Sequence, residues 1–510
     1  MKPGRDVLVI GSGVGGLTAA AALARRGRGV LLLEQHSQLG GLTQTFRRGE
    51  YAFATGVHYV GGVGDSPGPE GRFGRLLRRY AGDDLCFAPV GSPYDIVRLP
   101  GFEFPVEAPL AAYRARLEAE FPADRAAIDA YFAACSDAER ASVALFGALA
   151  LPAPLAAVLR WLNAGRVRRA LEPSAADKVR RVRDPRLAAV LTSRWGDYGV
   201  PPERAPFAVH ALVTGSYYGG AYYPVGGPAR IAQSFARSIR ADGGELRTGS
   251  RVAEIRLEDG RAAGVRLENG ETIEARCVIS AIGAHNTVAA LPDSAAPAWR
   301  ESLAAFGASL SYIALYLGLR GDIRAGGATA ANVWAYESDD IGRVWERPGD
   351  EDAPSIFVSF PSLKDSAHGD PRRHTAEVVA LCRWDPFAAW TGSSPGRRPE
   401  EYEATKAWIA ESLLAQFKRH FPRLGPLVDF HELSTPLSQA SFVGADRGAM
   451  YGIEMSARRL KSSALRARTP VPGLYLAGQD AASMGIQGAF MGGFMAAAAI
   501  EPRLWLEMGS

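Results

Sequence analysis

Gly11, Gly13 and Gly16 form a G-x-G-x-x-G array between two apolar stretches, Val7-Leu8-Val9-Ile10 before it and the Ala- and Leu-rich run from Leu17 to Arg26 after it. A second apolar run, Gly29 to Leu33, ends at Glu34. These types at this spacing suit the binding of a dinucleotide. Gly11 allows a tight turn, Gly13 lets the backbone approach a pyrophosphate, and Gly16 permits a helix to pack closely on a strand. A helix opening at Gly15 and Gly16 points free N–H groups at the phosphates. Glu34, with Gln35 beside it, can accept hydrogen bonds from ribose hydroxyls, and its charge repels a 2′-phosphate.

Two further features select FAD over NAD. Gly40-Gly41, followed by Leu42, lies just past the second apolar run, where glycines let the backbone run close to a bound cofactor. Near the other end, Leu474-Tyr475-Leu476-Ala477-Gly478-Gln479-Asp480 reads as a strand ending in Gly-x-Asp. Met484-Gly485-Ile486-Gln487-Gly488 then opens a helix rich in Ala, Gly and Met. Gly478 and Asp480 suit the ribityl hydroxyls, and the helix start at Ile486 and Gln487 suits the flavin edge that becomes anionic on reduction.

These residues need a scaffold that brings both ends of the chain together. Val7–Ile10, Gly29–Leu33 and Val278–Ala281 read as buried parallel strands. Ile231 to Ala241 reads as a helix, and Glu245–Arg247 and Val252–Leu257 as strands. Asp259-Gly260 and Asn269-Gly270 mark hairpin turns. Leu310–Leu319, Ala331–Tyr336, Ser355–Phe360 and Ala376–Trp384 read as strands of a second unit, Tyr402–Phe421 as a helix, and Ser393–Pro399 as an exposed loop. At 510 residues two domains are expected. The cofactor unit is expected from residues 1–75, 225–290 and 445–510, and the substrate unit from 76–224 and 291–444.

A net charge of +4 is too small to suggest a nucleic-acid binder. Cys86, Cys135, Cys277 and Cys382 are scattered without a CxxC pair, so reduced thiols and a cytoplasmic setting are expected. The start of the chain runs straight into a strand and reads as having no signal peptide. No His/Cys/Asp spacing suggests a metal. No second G-x-G-x-x-G lies in a strand–helix setting, so the electron donor or acceptor is expected to be a visiting one.

The chain resembles the retinol saturase and carotenoid isomerase branch of the phytoene desaturase-like flavoproteins. The stretches that carry the resemblance are Gly40-Gly41 through Thr55-Gly56-Val57-His58-Tyr59, Ser193 to Gly199, Tyr222-Tyr223-Pro224-Val225-Gly226-Gly227, Ser434 to Leu437, Arg447 to Gly452, and Leu474 to Gly488. They span most of the chain and are weakest at about 110–185 and 320–400. The resemblance implies an α/β fold of the amine-oxidase-like flavoprotein type, with a Rossmann-like FAD-binding domain and an α+β substrate domain of mixed sheet and helices. It also implies that the backbone at Val252 meets the adenine. Two positions depart from the pattern: Ala54 replaces a usual aspartate, and Leu42 stands where many relatives have arginine. Hydrogen bonding around the flavin is expected to differ accordingly.

The implied activity is FAD-dependent oxidation, reduction or isomerisation at a carbon–carbon bond of a long lipophilic polyene or acyl chain. A fatty-acyl enzyme and a non-catalytic lipid escort protein are the alternatives. Such a bond has no carbonyl to polarise, so the site must hold it against the flavin and exclude water. His58, Tyr59, Tyr222, Tyr223 and Tyr451 are the candidate proton carriers, although His58 fits a fixed hydrogen bond to flavin or backbone somewhat better than acid–base work and Tyr222 and Tyr223 also fit the wall of an apolar tunnel. His210 and His285 read as structural. Residues 143–162 are strongly apolar, are interrupted by Pro152 and Pro154, and precede Arg166, Arg168 and Arg169. The segment 143–183 fits a peripheral contact with anionic lipid on the inner face of a membrane. It fits two core helices with a solvated basic rim equally well.

Overall fold

The computed structural model describes residues 5–64, 71–150 and 153–509. Two seven-stranded sheets organise it. In the first, Arg5–Ile10 lies between Val30–Leu33 and Thr272–Ser280, parallel to both. Glu245–Arg247 extends one side in parallel. Arg261–Leu267 and Val252–Glu258 add an antiparallel meander on the other, and Leu474–Leu476 joins Thr272–Ser280 in parallel. The central strands are apolar along their length, as strands covered on both faces must be. Asp259 (φ 49°) and Gly260 (φ 75°) supply the two positive φ angles of a tight hairpin turn.

Helix Val14–Ala24 is buried at every residue. Helix Gly485–Ile500 packs against it through positions that tolerate no side chain. A Cβ on Gly493 would overlap the carbonyl oxygen of Gly15, and one on Gly15 would overlap the Cα of Gly478. On Gly492 it would overlap the carbonyl oxygen of Gly478. The two ends of the chain are therefore pressed together backbone to backbone.

The second sheet runs Val428–Ser434, Ser311–Arg320, Arg373–Cys382, Ser355–Ser359, Asn332–Tyr336, Asp95–Leu99, Phe102–Val106. Its pairings are antiparallel except that of Asn332–Tyr336 with Asp95–Leu99. Asp95–Leu99 and Phe102–Val106 were not anticipated from sequence, because the buried Asp95 breaks the apolar pattern of the strand. Helix Glu400–His420 covers one face.

One element differs from expectation. Residues 143–150 are not a short separate piece but the end of a single helix, Arg125–Ala150. No proline interrupts it before residue 152, and the lone Gly147 does not end it. Ala153–Leu162 is a second helix with Pro154 in its first turn, where proline costs no hydrogen bond. Pro152 lies outside the described residues.

Candidate functional site

A cavity of about 680 Å³ lies along the carboxyl ends of the first sheet and continues beneath the second. Its cradle end is lined by Gly11, Gly13 and Gly15 from the first strand–helix turn, and by Glu34 and Gln35 after the second strand. Gly40, Gly41, Leu42 and Val252 form its side. Gly478, Asp480 and Ile486 close it from the C-terminal segment. Gly11 (φ 92°) and Gly40 (φ 120°) hold conformations closed to other residues. Nothing stands within 4 Å of where a Cβ on Gly13 would sit, so the backbone there is bare to the cavity.

Two carboxylates organise this end. Glu34 accepts from the Ser12 N–H (2.9 Å), the Ser12 hydroxyl and the His36 N–H (2.8 Å), so it fixes the glycine turn while facing the cavity. Asp480 accepts from the Ile453 N–H (2.9 Å) and the Ala284 N–H (2.8 Å), tying two loops to the C-terminal segment. Glu34 Oε1 and both Asp480 oxygens each accept one of these bonds and keep lone-pair capacity for a sugar hydroxyl. Bare backbone, a helix N-terminus at Val14 and another at Gly485, and these two acids together fit FAD.

The far end is aromatic, with Trp195, Tyr312, Trp334, Tyr336, Phe357 and Tyr451 on its walls. Of the candidate proton carriers, His58, Tyr59 and Tyr451 line the cavity. Tyr223 does not: it is buried in a small three-stranded sheet opposite Ala88. Gly16 and Gln487 also lie off the cavity wall. Gly16 serves helix packing, and Gln487 Nε2 donates to the Gly61 carbonyl (2.9 Å). His210 is fully buried between the Tyr131 and Tyr198 hydroxyls, and burial pushes its pKa down to about 3. His285 is less passive than expected. It lines the cradle and pairs with Asp446 at 2.7 Å, a contact that raises its pKa.

The departure at Ala54 has a structural counterpart. The Ala54 N–H donates (2.7 Å) to Glu377, which reaches in from strand Arg373–Cys382. His58 Nδ1 lies 2.7 Å from the other oxygen of Glu377, an ion-pair distance without hydrogen-bond alignment. Lys364 donates to the His58 carbonyl (3.0 Å), Ser359 Oγ (2.7 Å) and Asn332 Oδ1, which anchors the backbone between His58 and Tyr59. Burial lowers the pKa of Lys364 to about 7, with Glu377 and Asp95 opposing the shift.

Sequence reasoning missed the charged cluster behind this end. Arg194 is buried, 2.8 Å from Asp95, and donates to the Tyr59 hydroxyl (2.9 Å) and the Tyr94 hydroxyl (3.3 Å). Its guanidinium stacks 4.5 Å over Tyr217. Asp197, from the same turn, lines the cavity. The available signal was an Arg and an Asp inside the otherwise apolar and glycine-rich Ser193–Gly199 stretch.

The glycine cradle continuous with a buried aromatic chamber defines a flavin-dependent oxidoreductase. The chain belongs to the flavin containing amine oxidoreductase family, whose pattern matches residues 14–501. It is 33% identical to all-trans-retinol 13,14-reductase of Rattus norvegicus, covering 98% of this chain and 86% of that one. It is 26% identical to the chloroplastic prolycopene isomerase of Arabidopsis thaliana, over 88% of this chain and 74% of that one. A putrescine oxidase structure shares the fold with a TM-score of 0.64 at 17% identity, over 98% of this chain and 100% of that one.

Proposed function

We propose that this protein uses FAD to add hydrogen across a carbon–carbon double bond of a long conjugated polyene. The observation that carries this reading is one continuous cavity, in which the cofactor cradle opens directly into an aromatic chamber. The likeness to a retinol reductase along nearly the whole chain supports it. Within the cofactor-binding unit (1–75, 225–290, 445–510), Gly11, Gly13, Glu34 and Asp480 hold the dinucleotide. The substrate unit (76–224, 291–444) supplies the chamber. Bound FAD supplies two-electron hydride chemistry. The chain's own residues hold the polyene flat between aromatic rings, exclude water and carry the proton.

The test is direct. Purified protein is yellow, and denaturation releases FAD into the supernatant. Chemically reduced enzyme, incubated without oxygen with all-trans-retinol or a carotene, yields a product heavier by two hydrogens. Oxidation of an alkylamine with no change in any polyene would replace this reading.

The polyene is expected to arrive from a membrane. Among the described residues no helix is long and apolar enough to cross one. Helix Ala153–Leu162 instead exposes Leu155 (56%), Val158 (55%), Trp161 (76%) and Leu162 (66%), whose spacing puts them on one stripe. Arg166, Arg168 and Arg169 are exposed on the next helix, Ala164–Leu171. Arg180 and Arg186, by contrast, are paired with Asp177 and Asp184. This supports an interfacial helix with a basic flank. The protein should co-sediment with vesicles containing anionic lipid, less so as salt rises. Replacing Arg166, Arg168 and Arg169 by Ser should weaken sedimentation severalfold while sparing turnover of detergent-dispersed substrate. Equal sedimentation of both proteins at low salt would leave the stripe without a lipid role.

A further inference from the structure

We propose that Asp197 is the group that hands a proton to the substrate carbon beside the one receiving hydride, with Tyr59 and Arg194 positioning it. This rests on the polyene reading above. The acids lining the cavity are Glu34, Asp197, Asp446 and Asp480. Glu34 and Asp480 have both oxygens bonded to backbone N–H groups, and Asp446 faces His285. Asp197 alone stands among the aromatic walls.

Its position is rigid. The turn Ser193–Asp197 is pinned by Trp195 Nε1 donating to the Ile341 carbonyl (2.7 Å) and by the Tyr336 hydroxyl donating to the Ser193 carbonyl. Gly196 lies flat against Trp334, where a Cβ would collide with the indole. Asp197 Oδ2 accepts from the Tyr59 hydroxyl (2.9 Å) and lies 3.4 Å from Arg194 Nη1. Among the described residues no donor is paired with Oδ1, and the side chain is 15% exposed. One oxygen is therefore clamped and the other is free for the chamber.

The groups around it are Arg194, Asp95 and the tyrosines 59, 94, 198, 217, 336 and 451. Burial pushes Asp197 up to about 6; Arg194 pulls it down and Asp95 pushes it up again. Burial also holds Tyr59, Tyr336 and Tyr451 well above the usual phenol range, so none is an easy acid near neutrality. A carboxyl titrating near the working pH is the better matched donor.

The O–H bond of Asp197 breaks, and the electron pair of the substrate double bond forms a C–H bond with that proton. Hydride at the neighbouring carbon completes the addition, its two electrons coming from reduced flavin. The carboxylate left behind is stabilised by Tyr59 and Arg194, and it regains a proton from solvent. The rate should be highest where Asp197 is protonated and fall as pH rises through about 6.

Asp197→Asn keeps the shape and the acceptor oxygen but holds no transferable proton. Its turnover should fall roughly 10²–10⁴-fold with FAD content unchanged, and the descending limb near pH 6 should vanish. An infrared pH titration of the FAD-loaded protein without substrate gives a second readout. Wild type should show a protonated-carboxyl stretch lost near pH 6, absent from Asp197→Asn. A variant that retains turnover, or the same limb and band, overturns the inference alone. So does a variant with raised KM at unchanged kcat, because Asp197 would then only anchor a polar end of the substrate. A wild-type protein that shows the band but reduces no polyene overturns the substrate reading and this inference together.

Discussion

Replacing Arg194 by Met should cost the fold about 3–5 kcal/mol, the usual consequence of removing one partner from a buried ion pair. Asp95 is fully buried and would keep only neutral donors, the Asn332 amide (3.0 Å) and the Tyr59 hydroxyl (3.4 Å). The hydroxyls of Tyr59 and Tyr94 would lose a charged donor, and Tyr217 its stacked cation. The loss should depend on pH. Burial already raises Asp95 above the usual carboxylate range, with Arg194 opposing the rise. Without Arg194 it goes higher. A carboxyl with a higher pKa folded than unfolded binds its proton more tightly in the folded chain, so stability declines as pH climbs from about 4 through the folded value. Chemical denaturation should therefore show a smaller deficit at about pH 5 than at about pH 8. A deficit that does not change with pH would mean that Asp95 was never the group left stranded.

Glu34→Ala should weaken FAD binding by about 30- to 1,000-fold, or ~2–4 kcal/mol, the worth of two hydrogen bonds to a charged acceptor. The structure adds a second effect. Because Glu34 also holds the Ser12 and His36 N–H groups, the empty protein should lose a little stability as well. Calorimetric titration of FAD into the stripped protein separates the two. Glu34→Gln, which retains an acceptor oxygen, should fall between wild type and Ala. An unaltered dissociation constant in the Ala variant would remove Glu34 from the ribose.

The cradle was legible because its demands are local. A turn at Gly11, bare backbone at Gly13 and an acid at a strand end all follow from neighbours within a short span of sequence. The pairing of Gly15 with Gly478 and Gly493 was visible only as two separate motifs whose union FAD requires. The chamber was far less legible. Arg194, Asp95 and Lys364 are charged residues in the interior, and single-residue patterns assign such residues to the surface. Only the meeting of strand Asp95–Leu99, the Ser193–Asp197 turn and helix Pro361–Lys364 makes them a neutralised group. Glu377 is similar. It sits in a strand that reads as simply apolar, yet its carboxylate reaches Ala54 and His58 from the far sheet. Tyr223 was placed near the chemistry by its motif. In the structure it is buried in the core cluster with Tyr59 and Phe357, behind the cavity wall.

The glycine contact between helices Val14–Ala24 and Gly485–Ile500 also sets an order of events during synthesis. The first helix is made about 460 residues before its partner. At about 5–20 residues per second, the nascent chain waits roughly 25–95 s with an open, half-built cradle. Throughout that interval the apolar faces of the central strands have no C-terminal cover. FAD can lock the two segments together only once the second has emerged, so cofactor supply acts on the newborn protein as a closing clasp. A cell short of riboflavin would accumulate the open form, exposed to proteases and chaperones, before it lost any mature enzyme.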